Sequence, residues 1–179
     1  MSFIKTKKSS ERDGLITFNK LIEEYTHTIR YNKNEIRRSK SIDLIDDNIF
    51  NEIMDKKNFE SLYNYCIKNY NEENLLFYAE VLLFKTVDIT KNQQYKFANR
   101  IFEKYIKQID KSIYLDIDLN NSEEKYIINI SGPIRENIIK QINENNININ
   151  IFDDAIDEIR KVLSQNIIPE WNKLIKFSK

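Results

Sequence analysis

The chain has 179 residues, with 28 Lys and Arg balanced by 28 Asp and Glu, which is enough length for one domain with a sizeable core. Hydrophobic residues make up 41% and aromatics 12%, which excludes wholesale disorder. Two Gly and two Pro are too few for the tight turns of barrels and sandwiches, or for a Gly-rich phosphate loop.

Helical periodicity then runs along the chain. Leu15, Phe18, Leu21, Ile22, Tyr25 and Ile29 make one face of a helix over 15–29. After a polar linker, a short segment carries Ile49, Phe50, Ile53 and Met54. Phe59, Leu62, Tyr63, Cys66, Ile67 and Tyr70 form the next stripe. From Leu75 to Phe84 the chain is apolar almost all round, which predicts the central buried helix. A long stripe from Phe97 to Ile109 follows, then a shorter one at Ile134, Ile138, Ile139 and Ile142, then Phe152 to Leu163. Pro169 should break or kink the path near Ile168, and Trp171, Leu174 and Ile175 close the chain.

One stretch changes period. Ile113, Leu115, Ile117 and Leu119 alternate with polar residues, then Asn120 to Glu123 reads as a turn, then Tyr126-Ile127-Ile128-Asn129-Ile130 is rich in β-branched residues. This predicts a small β-hairpin at about 113–130. Asn146 to Ile151 also alternates, but without a partner strand it reads as an extended loop.

Several chemistries are excluded or disfavoured. Cys66 is the only cysteine, so no internal disulfide forms and a reducing compartment is indicated. On its apolar stripe it reads as buried filler rather than a nucleophile paired with His27, the only histidine. Asp116-x-Asp118-x-Asn120 starts like a calcium loop but has Asn121 where Gly is needed and Ile127 where Glu should ligate. No metal or other cofactor is expected. No apolar run reaches the roughly 18–20 residues of a membrane span, and the N-terminus lacks the apolar stretch of a signal peptide. Cytoplasmic placement follows.

Residues 1–40 carry ten basic and five acidic residues. Lys5, Lys7, Lys8, Arg37, Arg38 and Lys40 form small clusters suited to peripheral contact with an anionic membrane, such as the inner face of the plasma membrane. The acidic remainder argues against nucleic acid as a partner. The organisation is therefore a basic extension with an amphipathic helix over 1–45, then a helical domain over 46–176.

Two helix starts stand out. In Asn71-Glu72-Glu73-Asn74, Asn71 suits the N-cap and the two Glu complement the first-turn dipole. Asn74 is an amide close to a loop end, able to enter a partner's polar site without the desolvation cost of a charge. Phe152-Asp153-Asp154-Ala155 opens a later helix, with Asn150 suited to its cap.

In order, these pieces resemble a regulator of G-protein signalling (RGS) domain. Tyr70-Asn71-Glu72-Glu73-Asn74-Leu75-Leu76-Phe77-Tyr78 resembles the family's Glu-Glu-Asn segment opening a buried helix. Arg135-Glu136, Phe152-Asp153-Asp154-Ala155 and Pro169-Glu170-Trp171 match later family segments in order and spacing. The resemblance covers about 46–176 and implies an all-α, nine-helix bundle, with the predicted hairpin as an insertion. It also implies a monomer that is not an enzyme, but binds the α subunit of a heterotrimeric G protein and accelerates GTP hydrolysis by holding its switch segments in their transition-state form. By the resemblance, Asn74 enters the Gα site and Glu73, with Asn69 beside it, contacts a switch segment. Gln141 takes the place of a second polar contact, and Val162, Asn166 and Glu170 form a third. Asn166 and Glu170 stand where the family usually has Asp and Arg. That departure supports a second expectation, an RGS-like interaction scaffold that activates nothing.

Overall fold

The computed structural model describes residues 56–86, 89–107 and 126–177. Within them lie six α-helices: α1 (Lys56–Lys68), α2 (Glu72–Thr86), α3 (Lys91–Ile101), α4 (Gly132–Asn143), α5 (Asp153–Val162) and α6 (Ile168–Phe177). Two π-helical turns, Phe102–Ile106 and Leu163–Ile167, extend α3 and join α5 to α6. The all-α expectation holds for these residues. The helices expected at 15–29 and around Ile49–Met54, the basic extension, and residues 113–125 of the expected hairpin lie outside them, so the count of nine extends beyond what is described.

α2 is the centre. Every residue from Leu75 to Phe84 is buried, because a helix without a polar face finds no orientation that leaves one side in water. Phe77 meets Tyr105 and Phe152 edge-on at 5.5 and 6.3 Å, and Phe84 meets Phe97 and Phe152 at 5.6 Å each. α1 buries Phe59, Leu62, Tyr63 and Cys66, the stripe read from its spacing. α3 opens on a capping box: Gln93 N–H donates to Thr90 Oγ1 at 3.4 Å, while Thr90 N–H donates to the Gln93 carboxamide at 3.0 Å.

Three expectations change on folding. The stripe from Phe97 does not continue as an α-helix to Ile109. Lys107 N–H reaches back to the Phe102 carbonyl at 2.9 Å and the helix closes in a π turn. The extra residue per turn re-aims Lys104 and Tyr105 so that both reach Glu80. Pro169 does not break the chain path. The turn before it widens, Ile168 N–H bonding the Leu163 carbonyl, which makes room for a ring that would otherwise press on the carbonyl four residues back. Residues 126–130, expected as the return strand, form no strand, and among the described residues there is none. Ile128 and Ile130 turn inward as a half-exposed strand would, and Ile128 N–H donates to the Tyr105 carbonyl at 3.0 Å. The 146–151 stretch is a loop, as expected. Its isoleucines pack on the core while its asparagines stay in water, which accounts for the alternation.

Candidate functional site

α1 ends in a Schellman turn. Asn71 N–H bonds the Cys66 carbonyl at 3.0 Å and Tyr70 N–H the Ile67 carbonyl at 3.4 Å, which requires the residue between to be left-handed. That residue is Tyr70, at φ 56°, and its side chain is 73% exposed. The end of α4 repeats the pattern with Asn145 at φ 54°, a residue type that tolerates the conformation. The two amides around Tyr70 serve the turn itself. Asn69 Nδ2 donates to the Tyr65 carbonyl at 2.8 Å and Asn71 Nδ2 to the Asn69 carbonyl at 2.7 Å. Asn71 therefore stands at the expected cap position, but its amide donor goes to the turn behind it.

Glu73 and Asn74 follow in the first turn of α2. Asn74 is only 7% exposed, and its Nδ2 donates to Glu73 Oε1 at 3.0 Å. The carboxamide expected to enter a partner's site thus lies covered against a half-buried neighbour. Burial raises the Glu73 carboxyl above its ordinary value; its own backbone N–H opposes this and Glu72 adds to it. Glu72 Oε2 is buried without a hydrogen-bond partner among the described residues. Below these acids lies Cys66, whose thiol is pushed up to about 12 by burial, with Glu72 and Glu73 adding to it. The thiolate is thereby excluded near neutral pH, in line with filler.

The third expected segment sits on the path from α5 to α6. Val162 is half-buried at the close of α5, and Asn166 is exposed in the π turn. Glu170 is exposed in the first turn of α6, where Lys173 Nζ holds it at 2.6 Å. Lys85 in the last turn of α2 pairs with Asp153, the first residue of α5, at 2.5 Å. The two helices pack on each other. Among the described residues no hydrogen bond or ion pair joins Glu73 or Asn74 to Val162 or Asn166. α6 is fastened alongside, as Trp171 Nε1 donates to Ser61 Oγ on α1 at 3.1 Å. Asp153 is committed to Lys85, and α5 has no side-chain cap, so Asn150 does not cap it as expected; Asp153 N–H bonds the Asn150 carbonyl instead.

Gln141 is half-buried in the last turn of α4, where its carbonyl accepts Asn146 N–H at 2.9 Å. A better-presented amide is Asn129, which the sequence reading absorbed into the hairpin. It is exposed between buried Ile128 and Ile130, and its polar place in an apolar alternation was the available signal.

Glu80 was also missed. It is the one charged residue in the apolar run of α2 and is 2% exposed. Lys104 Nζ at 2.5 Å and Tyr105 Oη at 2.7 Å donate to its Oε1, and Arg100 Nε lies 3.9 Å from Oε2. Burial and then the adjacent carboxylate hold the Tyr105 phenol well above its ordinary range, so it stays a donor.

No helix among the described residues is long and apolar enough to cross a membrane. No curated protein matches the chain. Residues 49–179 match the sequence model of the regulator of G protein signaling domain. That match takes in every described element, with the Glu-Glu-Asn start of its central helix. This chain belongs to the RGS domain family, and so to the regulators of G-protein signalling.

Proposed function

We propose that this domain is a GTPase-activating protein for the α subunit of a heterotrimeric G protein and performs no chemistry of its own. Family membership supports the class of partner. The observation that carries the finer reading is the Glu73–Asn74 pair, set on the first turn of a helix buried along its whole apolar length. A Gα subunit already holds a catalytic Arg in cis and a Gln that orients water. What a helper adds is rigidity, fixing groups before reaction and favouring the transition-state arrangement over the ground state. A side chain anchored on the core's central helix meets that need better than one on a loop. Engagement exchanges the Asn74 donor from the Glu73 carboxylate to the partner's Gln, one hydrogen bond replacing another, so that no buried donor is left unpaired.

The test is single-turnover GTP hydrolysis by candidate Gα subunits, with this chain and with Asn74→Ala. The wild type should accelerate the reaction and the variant should lose at least tenfold of that acceleration. No acceleration across the Gα classes would reject the activity, and acceleration undiminished in the variant would reject the role of Asn74.

The covered Asn74 and the Glu170–Lys173 pair favour a second reading, an RGS-like scaffold that binds without activating. An activator prefers Gα carrying GDP and aluminium fluoride over Gα carrying GDP. A scaffold shows no preference.

A further inference from the structure

Arg135, in the first turn of α4, carries a charge that no acid neutralises. Its terminal nitrogens form a fork over two backbone carbonyls: Nη1 donates to Ile106 at the close of the first π turn, and Nη2 donates to Ile128 at 2.8 Å. Both acceptors are neutral, and among the described residues no carboxylate forms an ion pair with Arg135. Burial pulls the guanidinium below its ordinary range, as it does for a cation that has lost water and gained no counter-charge. The fork leaves other N–H groups of the guanidinium unused.

Arg135 lines an open cleft of about 580 Å³ between α3 and α4, a size common among ligand sites. Phe102, Ile139 and Ile142 give the cleft an apolar wall, with Phe102 and Ile142 buried and Ile139 half-buried. Tyr95, 41% exposed, adds an aromatic ring on the α3 side. Lys107 also lines it, but Glu103 holds that ammonium at 2.8 Å. The Arg135 charge is therefore the surplus. The exposed Asn143 and Asn145 bring amides to the same cleft, each with donors and an acceptor.

We propose that this cleft docks a partner's peptide segment in which a carboxylate stands close to a large aliphatic or aromatic side chain. The carboxylate meets Arg135, the apolar side chain rests on Phe102, Ile139 and Ile142, and the peptide groups pair with the asparagine amides. One surplus cation matches one carboxylate, whereas a phosphorylated headgroup or a nucleic acid calls for several converging cations. None of Glu73, Asn74, Gln141, Val162, Asn166 and Glu170 lines the cleft, so the inference stands apart from the activating reading and its test uses no Gα.

The probe is a panel of short blocked peptides, each pairing one glutamate with one leucine or phenylalanine at successive separations, and a matched panel with glutamine for glutamate. Binding to the full chain is followed by amide chemical shifts. Glutamate peptides should bind tighter than about 1 mM and shift Tyr95, Phe102 and Ile139 but not the middle of α2. Their glutamine counterparts should bind about tenfold more weakly, the loss of one charge-assisted hydrogen bond. Arg135→Gln should abolish the difference between the panels. Tyr95→Ala, at an exposed helical position where alanine is well tolerated, should weaken both panels with the melting temperature unchanged, and it decides the site even if Arg135→Gln fails to fold. No peptide binding tighter than about 1 mM, equal binding of the two panels, or shifts confined to another face would overturn the proposal. So would vesicles of phosphatidylserine in phosphatidylcholine, or inorganic phosphate, shifting the same amides more strongly than any peptide.

Discussion

Replacing Lys104 by Met removes the closest counter-charge of the Glu80 carboxylate, which is 2% exposed and receives Lys104 Nζ at 2.5 Å. Breaking a buried ion pair by deleting one partner costs about 3–5 kcal/mol, because the remaining charge is left in a poor solvent. Two features reduce that here. The Lys104 side chain is 23% exposed, so water can partly replace it, and Arg100 remains 3.9 Å from Oε2. The expected loss is therefore about 2–3 kcal/mol. Tyr105→Phe removes a hydrogen bond to the same charged acceptor and should cost about 1.5–2 kcal/mol. The double variant Glu80→Leu with Lys104→Met removes the charge along with its partner and should be more stable than Lys104→Met alone. Urea unfolding followed by circular dichroism measures all three. A loss under about 0.5 kcal/mol for Lys104→Met, the range of an ordinary surface substitution, would refute the account. So would a double variant less stable than the single, since the carboxylate would then be contributing through something other than its cations.

Three further outcomes follow from the end of α1, the turn after it and the start of α2. Tyr70→Gly relieves a left-handed, bulky residue and should raise stability by about 1 kcal/mol in the same unfolding assay. The Glu73 carboxyl is raised in the folded chain, so its ionisation opposes folding. That penalty is absent at pH below the ordinary carboxylate value, appears as pH rises through it, and is complete above the raised one. Glu73→Gln should therefore stabilise the domain at neutral pH, and the gain should vanish on acidification toward pH 4 in a pH series of melting curves. Cys66, with its thiol held near 12, should resist iodoacetamide at pH 8 in the native domain and react on denaturation; labelling of the native chain at the unfolded rate would contradict its burial.

Contact with Glu73 makes the covered Asn74 intelligible. An amide released fully to water would have no preferred rotamer, while one resting on Glu73 has a defined start. Asn69 and Asn71 show the alternative use of the same residue type. Both are exposed or half-exposed in the same turn, yet both amides tie down its carbonyls.

The amino-acid sequence by itself determined the helices of the described core, the central place of α2, the filler role of Cys66 and the segments that mark the family. Each of these is written in local spacing, where apolar residues three and four apart define a face. The tertiary structure alone decided the two π turns, the burial of Glu80, the covering of Asn74 and the fork of Arg135. Those features depend on pairs such as Glu80 with Lys104, Ile106 with Arg135 and Lys85 with Asp153, which stand 24, 29 and 68 residues apart. No periodicity encodes such a distance. A charge in an apolar run, or an amide in an alternating one, takes its meaning from the element that packing brings against it.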